Sequence, residues 1–166
     1  AGDVLPFCST DECDNNLQYR ELVGCLLYAA CLVRPDVSYC VMELCRHTQQ
    51  FTMAHYTKAV RVLHFLFFTR TKGLYYTPCS TDELLLRLFV DADHAKNPDG
   101  RSISGWVLML GKCTIAWQAA VQTHISLHTY EAEYHALSLG MKHARGIQLV
   151  LTMMNVDVGV KPMMVY

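Results

Sequence analysis

The spacing of apolar residues changes near Gly73, and this change divides the chain into two parts. Upstream of Gly73, apolar residues recur every three or four positions, a pattern that is typical of helices with one buried face. The predicted helices cover residues 19–34, Pro35 to about Arg46, and 54–68. The third helix is predicted to bury a stripe made of Ala59, Val62, Leu63, Leu66 and Phe67.

Downstream of Gly73, short apolar runs replace the helical period and predict strands. The predicted strands cover residues 74–77, 84–91, 102–110, 113–118 and 163–166, and a Gly-Lys turn joins two of them into a hairpin. A long helix is predicted to begin at Thr129, which would be its N-cap. Its predicted core stripe is Tyr130, Tyr134, Leu137, Met141, Ala144 and Leu151, whereas its small residues Ala132, Ala136 and Gly140 would allow a close approach to a sheet.

These elements predict a mixed α/β (α+β) fold in which a helical segment precedes a β-β-β-α-β unit with a mixed sheet. Three antiparallel strands are followed by a crossover helix, which returns the chain parallel to the first strand. The predicted organisation is a flexible lead-in at 1–16, a helical segment at 17–72 and a strand-rich domain at 73–166.

The composition supports a folded core and gives no support for a strongly basic nucleic-acid-binding protein or for a membrane-spanning protein. Of the 166 residues, 52% are hydrophobic and 17% are charged, which argues against disorder over most of the chain. The net charge of −1 gives a nucleic-acid partner no support from bulk charge, so any basic surface must be local. No apolar run reaches 18 residues, so no membrane span is predicted. The N-terminal stretch has neither a signal-peptide pattern nor an initiator Met, which suggests a piece of a longer protein.

The eight cysteines do not form a recognisable framework. No CxxC pair and no zinc-type Cys/His spacing occurs, and Cys25, Cys31, Cys40 and Cys45 lie within apolar helical patterns. Thiols in such positions are expected to act as small buried hydrophobic groups. The interpretation is a reduced, intracellular protein, with the cytoplasm and the nucleus both left open.

Basic residues gather around the third predicted helix. Lys58, Arg61, Arg70 and Lys72 could form a solvated helix face, or they could contact a phosphate backbone. Arg101, just before a predicted strand, is a further candidate for nucleic-acid binding.

Two aspartates one residue apart end the strand predicted at 84–91 and could face the same side. Asp91 could then converge with Glu133, early in the crossover helix, and such carboxylates suit Mg²⁺. Two alternatives remain: Asp91 and Asp93 could only open a polar turn, and Glu133 could only complement the helix dipole.

Ordered motifs then point to a known family. The stretches "FVDADHAKNPDGRSISGWVLML", "IAW" with Gln118, and "ISLHTYEAEYHALSLG" resemble the ribonuclease H domain of copia-type retrotransposon polyproteins. The upstream stretches "YRELVGCLLYAACLVRPDVSYCV" and "AHYTKAVRVLHFLFFTRTKGLYY" are similar to the segment that joins reverse transcriptase to ribonuclease H. The resemblance covers about residues 17–166.

The resemblance implies a site and a reaction. Asp91 and Glu133 match the family's first two catalytic, metal-binding carboxylates, and Asp93 and Glu131 are secondary candidates. The implied reaction is hydrolysis of the RNA strand of an RNA–DNA hybrid with two Mg²⁺ ions. The implied partners are that hybrid and the rest of the polyprotein. By the same resemblance, residues 17–72 would be a thumb-like connection and 73–166 a truncated ribonuclease H domain.

The family's third and fourth carboxylates are not found in this sequence, since the third would follow the apolar run ending at Tyr166. The chain is therefore expected to hold at most one ion weakly and to be inactive as a nuclease. Two further hypotheses stay open. One is a non-catalytic remnant that binds nucleic acid or protein, and the other is an unrelated α/β domain with incidental carboxylates.

Overall fold

The computed structural model describes residues 14–78, 80, 83–94, 100–156 and 164–165. Four helices and four strands confirm the predicted mixed α/β class. In chain order they are α1 (Asp14–Leu32), a 3₁₀ turn (Pro35–Val37), α2 (Ser38–Cys45), α3 (Met53–Phe68), β1 (Leu86–Asp93), β2 (Ile103–Leu110), β3 (Cys113–Val121), α4 (Thr129–Met153) and β4 (Met164–Val165).

The four strands form one mixed sheet in the order β3-β2-β1-β4. β1, β2 and β3 are antiparallel neighbours, and β4 lies parallel to β1 with Arg87 opposite Met164. The predicted Gly-Lys turn closes the β2–β3 hairpin, where Gly111 has a φ of +61°, a conformation that glycine adopts without strain. The predicted β-β-β-α-β order is therefore present in the described residues.

Helix α4 packs its small residues, not its large ones, against the sheet. Ala132, Ala136, Gly140 and Ala144 are fully or nearly fully buried. A Cβ placed on Gly140 would lie 3.1 Å from Val90 Cγ2 and 3.3 Å from Leu88. The backbones therefore approach too closely for bulky side chains at this interface.

The core stripe predicted for α4 was wrong in most of its large members. Tyr130, Tyr134 and Met141 are exposed, because the face of small residues lies against the sheet. The buried stripe predicted for α3 was correct in four of its five members. Ala59 is buried and Val62, Leu63 and Leu66 pack around it, but Phe67 is exposed.

The helical segment has a hydrophobic core of its own. Tyr19, Val23, Leu26 and Ala30 of α1 pack against residues of α2 and α3. The Tyr19 ring stacks on Phe51 with centroids 4.4 Å apart, and its hydroxyl donates to the Leu44 carbonyl at 2.9 Å. A second cluster, centred on Leu88 and Leu108, lies between the sheet and α4.

Helix α2 meets the sheet on the face opposite α4. The Trp117 indole N–H of β3 donates to the Ala30 carbonyl at 2.8 Å, which joins the end of α1 to the strand. Tyr39 of α2 lines a groove together with Phe89 and Val107. The sheet is therefore covered on both faces by helices.

Some predicted elements differ from the structure or lie outside it. Residues 74–77 do not form a strand, so that prediction was wrong. The predicted lead-in falls mainly on residues outside the described ones, and α1 already begins at Asp14. His128, not Thr129, is the N-cap of α4. Within the described part of the chain, no helix is long and apolar enough to cross a membrane.

Candidate functional site

Asp91 and Asp93 line one cleft at the C-terminal end of β1. Strand alternation places both on the face opposite α4, because Leu88 and Val90 face Gly140 of that helix. The cleft has a volume of about 370 Å³ and is also lined by Tyr39, Ala92, Ile103, Gly105 and Ala119. The sequence-based expectation that the two aspartates share one side is therefore met within this cleft.

The crossover helix begins at the same end of the sheet as this acidic cleft. The buried Gln122 amide donates to the Ala132 carbonyl at 2.8 Å and to Ser104 Oγ at 2.9 Å. Ser104 lies opposite Ala92 in the sheet, so the first turn of α4 lies beside the end of β1. This polar network fixes the start of the helix against β2, next to the strand that carries Asp91.

Glu133 follows Ala132 in this first turn and is exposed. Its helix packs on one face of the sheet, whereas the Asp91 side chain leaves β1 on the other face. Glu133 is not among the residues that line the acidic cleft. A shared ion would therefore require Glu133 to reach around the end of the strand, and convergence of the two carboxylates stays a prediction.

Glu131, a secondary candidate, has a local structural role. Its Oε2 accepts the Leu127 backbone N–H at 2.8 Å, four residues upstream. A carboxylate in the first turn also complements the positive end of the helix dipole. This contact satisfies a backbone donor just before the helix, and a ligand role for Glu131 stays a prediction.

The donor chemistry of the cleft suits a hard cation, but the number of donors is small. Carboxylate oxygens are ligands that Mg²⁺ accepts together with several waters. Among the described residues, no group of three or more His, Cys, Asp or Glu side chains could hold a metal ion.

An apolar groove of about 260 Å³ continues from the acidic cleft, and Asp91 lines both. Trp117, Phe89 and Tyr39 contribute its aromatic surface. Nothing in the sequence indicated that Tyr39 would meet the sheet, because the helical period of α2 says which residues are apolar but not which partner they face.

A third cleft, of about 400 Å³, lies between α2 and α3, and Lys58 is among its lining residues. Here His47 and His55 stack with ring centroids 4.0 Å apart. His55 Nδ1 accepts the Thr52 backbone N–H at 3.0 Å, at the start of α3. Burial, together with His47 and Lys58, lowers the pKa of His55, and this favours the neutral ring that the hydrogen bond requires.

The predicted nucleic-acid-binding residues lie on two parts of the fold. Arg61, Arg70 and Lys72 are exposed on α3 or in the segment just after it. The Arg70 guanidinium lies over the Phe67 ring, 4.9 Å from its centroid. Arg101 is exposed just before β2. The helical members thus accompany exposed aromatic rings, an association that the sequence reasoning overlooked.

The described cysteines are free thiols, but most are not buried as predicted. Cys25 and Cys31 of α1 and Cys40 of α2 are exposed. Cys45 is half-buried, and burial together with nearby Cys31 raises its pKa. Small side chains tolerate either face of a helix, so the apolar pattern could not decide their burial.

Comparison with known proteins decides the family. The chain is 35% identical over 118 residues to a putative transposon Ty5-1 protein of Saccharomyces cerevisiae, covering 70% of this chain and 38% of the relative. It is 30% identical over 119 residues to the retrovirus-related Pol polyprotein from transposon TNT 1-94 of Nicotiana tabacum, covering 71% of this chain and 9% of the polyprotein. The chain belongs to the retrotransposon Pol polyprotein family.

Other relatives of this retrotransposon Pol segment carry different names. An uncharacterized mitochondrial protein of Arabidopsis thaliana is 35% identical over 132 residues, which is 79% of this chain and 54% of the relative. A protein named secreted RxLR effector protein 161, from Plasmopara viticola, is 32% identical over 130 residues, 78% of this chain and 90% of the relative. The chain thus spans about half the mitochondrial relative and a small part of the tobacco polyprotein. No family model and no solved structure matches the chain.

Proposed function

We propose that this retrotransposon Pol segment contains the first part of a ribonuclease H-type site, built on the acidic cleft at the end of β1. The observation that carries the proposal is the geometry of that cleft: two aspartates share it, and the crossover helix with Glu133 starts at the same end of the sheet. The strand order β3-β2-β1-β4 agrees with the β-β-β-α-β unit that such a site requires.

In this proposal Asp91 is the principal carboxylate and Glu133 the second, with Asp93 able to hold an ion through water. An exposed carboxylate pair binds Mg²⁺ weakly, because the ion keeps most of its own water. The substrate class is an RNA–DNA hybrid, whose phosphates would complete the ligand set. The 166-residue chain, tested alone, is expected to bind a hybrid without cleaving it, since the described residues do not gather three metal ligands.

Metal binding is tested by paramagnetic broadening of backbone amide signals when Mn²⁺ replaces Mg²⁺. We expect broadening to concentrate at residues 91–93 and 131–134 and to be lost in Asp91→Asn. Glu21→Gln, which removes an exposed carboxylate from α1, is the matched control and should leave the pattern unchanged. Broadening at 91–93 without any at 131–134 would remove Glu133 from the site.

Hydrolysis is tested separately with a labelled hybrid and Mg²⁺ or Mn²⁺. We expect no cleavage above background by the wild-type chain. Metal-dependent cleavage that Asp91→Asn abolishes would contradict the expected inactivity while supporting the site. Cleavage that persists in Asp91→Asn and Glu133→Gln would contradict the proposed site itself.

A second candidate function is that of a non-catalytic binding remnant. The observation that favours it is the position of α2: Tyr39 lines the acidic cleft and the adjoining groove, so the helical segment lies against the face that carries Asp91. A hybrid would have to reach Asp91 past this helix. Binding of a hybrid that is unaffected by Asp91→Asn and by metal removal would favour the remnant over the nuclease site.

A further inference from the structure

The basic and acidic residues are distributed unevenly along the chain, and the segment that lacks acidic residues also contains several exposed aromatic residues. Residues 44–81 contain five Lys or Arg and not one Asp or Glu, although the whole chain has 14 basic and 15 acidic residues. The remaining residues therefore carry nine basic side chains against fifteen acidic ones. This stretch of the sequence is therefore locally cationic despite the net charge of −1, and exposed cationic groups attract polyanions.

The end of α3 and the segment after it place large aromatic rings in solvent. We call this the aromatic–basic surface, and its members are Phe65, Phe67, Phe68, Arg70, Lys72, Tyr75 and Tyr76. All seven are exposed, with Phe68 at 78%. Arg61 lies four and seven positions before Phe65 and Phe68, so it shares their face of the helix. Exposed apolar clusters of this kind mark binding surfaces more often than isolated apolar residues do.

Local contacts orient several of these rings. Phe67 meets Phe68 edge to face with centroids 5.7 Å apart, and Arg70 lies over Phe67. Phe65 has the buried Arg34 guanidinium 5.5 Å from its ring centroid. The Tyr75 hydroxyl donates to the Thr71 carbonyl at 3.3 Å. Phe67 is thus presented beside the exposed Arg70, whereas the Arg34 beside Phe65 is buried and paired with Asp36.

We infer that the aromatic–basic surface binds single-stranded nucleic acid by stacking unpaired bases on the rings while Arg70 and Lys72 contact phosphates. The presence of both cations and exposed aromatic rings favours single-stranded nucleic acid as the partner. Cations attract the phosphate backbone of the nucleic acid, and aromatic rings can stack on any unpaired base. A duplex keeps its bases stacked on one another and cannot offer their faces to protein rings. The inference does not depend on the carboxylates of the proposed nuclease site, so Asp91→Asn should leave this binding unchanged.

A second pair of exposed tyrosines provides an internal control. Tyr130 and Tyr134 of α4 are 64% and 69% exposed, close to the 63% of Tyr76 and the 75% of Tyr75. Glu131 and Glu133 lie beside them in sequence, so a phosphate backbone would be repelled there. Exposure is matched between the two pairs, and the surrounding charge differs in sign.

The test measures fluorescence anisotropy of labelled single-stranded oligo(U) and oligo(dT), the corresponding duplex, and vesicles of anionic phospholipid, all with the full chain. We expect single strands to bind more tightly than the duplex or the vesicles. Tyr75→Ala with Tyr76→Ala should weaken single-strand binding about tenfold or more, because each stacked base contributes roughly 1–3 kcal/mol. Tyr75→Phe with Tyr76→Phe keeps the rings and should retain most of the affinity. Tyr130→Ala with Tyr134→Ala should change it less than about twofold.

The ionic part is read from the salt dependence. Arg70→Gln with Lys72→Gln should reduce the slope of log K against log salt by about 0.7 for each phosphate that is no longer neutralised. An unchanged urea midpoint shows that a variant remains folded. The inference is overturned if both tyrosine pairs weaken binding equally, if the duplex or the vesicles bind as tightly as single strands, or if no single-strand binding occurs.

Discussion

The two hydrophobic clusters of this protein are built by different packing strategies. The helical segment interlocks large side chains such as Tyr19, Leu26 and Phe51 across three helices. The sheet unit instead sets a helix face of alanines and one glycine against large residues of β1 and β2. The difference shows that a helix whose backbone lies close to a sheet needs small side chains at the contact. Helices packed on one another can instead place large side chains between them.

The clusters also differ in the polar groups that accompany them. In the helical segment, the nearly buried Arg34 pairs with both oxygens of Asp36 and also contacts Thr69. The Arg34 guanidinium holds the pKa of Asp36 below its usual range. In the sheet unit, the neutral amide of buried Gln122 bridges Ser104 and the Ala132 carbonyl. Perturbing each region in turn tests how independent the two are.

The largest effect is expected from Leu88→Ala, because this side chain is fully buried at the centre of the sheet cluster. Loss of a buried Leu leaves a cavity and typically costs about 2–5 kcal/mol. Urea denaturation followed by both tryptophans reports the sheet, since Trp106 and Trp117 lie on β2 and β3. Leu26→Ala in α1, almost equally buried, is the counterpart in the helical segment. If the tryptophan transition shifts equally in both variants, the two clusters unfold together; if only Leu88→Ala shifts it, they are separable.

The close approach of α4 predicts opposite effects for two glycine substitutions. Gly140→Ala should destabilise the protein by about 1–3 kcal/mol, because its Cβ would press on Val90 and Leu88. Gly146 has open space around it, so Gly146→Ala should stabilise the same helix by about 0.5–1 kcal/mol. Free energies of unfolding from urea curves give both values. A stabilising Gly140→Ala would contradict the packing described for the sheet unit.

The link between the regions is tested by Trp117→Phe. This change removes the indole N–H that donates to the Ala30 carbonyl and keeps most of the aromatic bulk. A typical hydrogen bond contributes about 1 kcal/mol net, so a destabilisation of that size is expected. Trp106→Phe, which removes the indole N–H bonded to Gln118, is the control within the sheet unit. Only the Trp117 variant should loosen the contact between α1 and the sheet, measured as faster hydrogen exchange at residues 29–31.

The smallest effect is a pH dependence confined to the helical segment. The pKa of folded His55 lies below its ordinary value of 6.5, so the unfolded chain binds this proton more tightly than the folded one. Stability from this group is fully present above pH 6.5 and falls as pH decreases from there through the folded pKa. Protonation of His55 would remove the Thr52 N–H bond and oppose His47 and Lys58 in the same cleft. His55→Gln should flatten the decline, measured as the urea midpoint between about pH 7 and pH 5; an unchanged decline would exclude His55 as its source.

The element types were predictable because they follow from local spacing. The helices at 19–34 and 54–68, the strands near 84–91 and 102–110 and the Gly-Lys hairpin all occur with shifts of a few residues at their ends. Residues 74–77 show the limit: Leu74, Tyr75 and Tyr76 have strand-forming side chains, but they do not pair with another strand among the described residues. Strand formation needs a partner, and no local pattern provides one.

The candidate site also has a part that local spacing predicted and a part that it did not. The alternation of β1 was enough to place Asp91 and Asp93 on one side, and the cleft contains both. The position of Glu133 relative to that face, and the presence of Tyr39 in the cleft, depend on how α4 and α2 cross the sheet. How these helices pack on the sheet depends on residues that are far apart in the chain. The spacing of residues within one element therefore does not predict it.

By itself, the sequence determined the order and kind of the four helices and four strands of the described residues, the acidic end of β1 and the membership of a retrotransposon Pol family, because periodicity and ordered motifs are local properties. The tertiary structure alone decided which face of α4 is buried, that α2 lies on the face of the sheet bearing Asp91, and that aromatic rings after α3 remain in solvent. The physical reason is that burial is settled by distance between backbones: where α4 approaches within van der Waals contact of β1, only small side chains fit, and its tyrosines must turn outward.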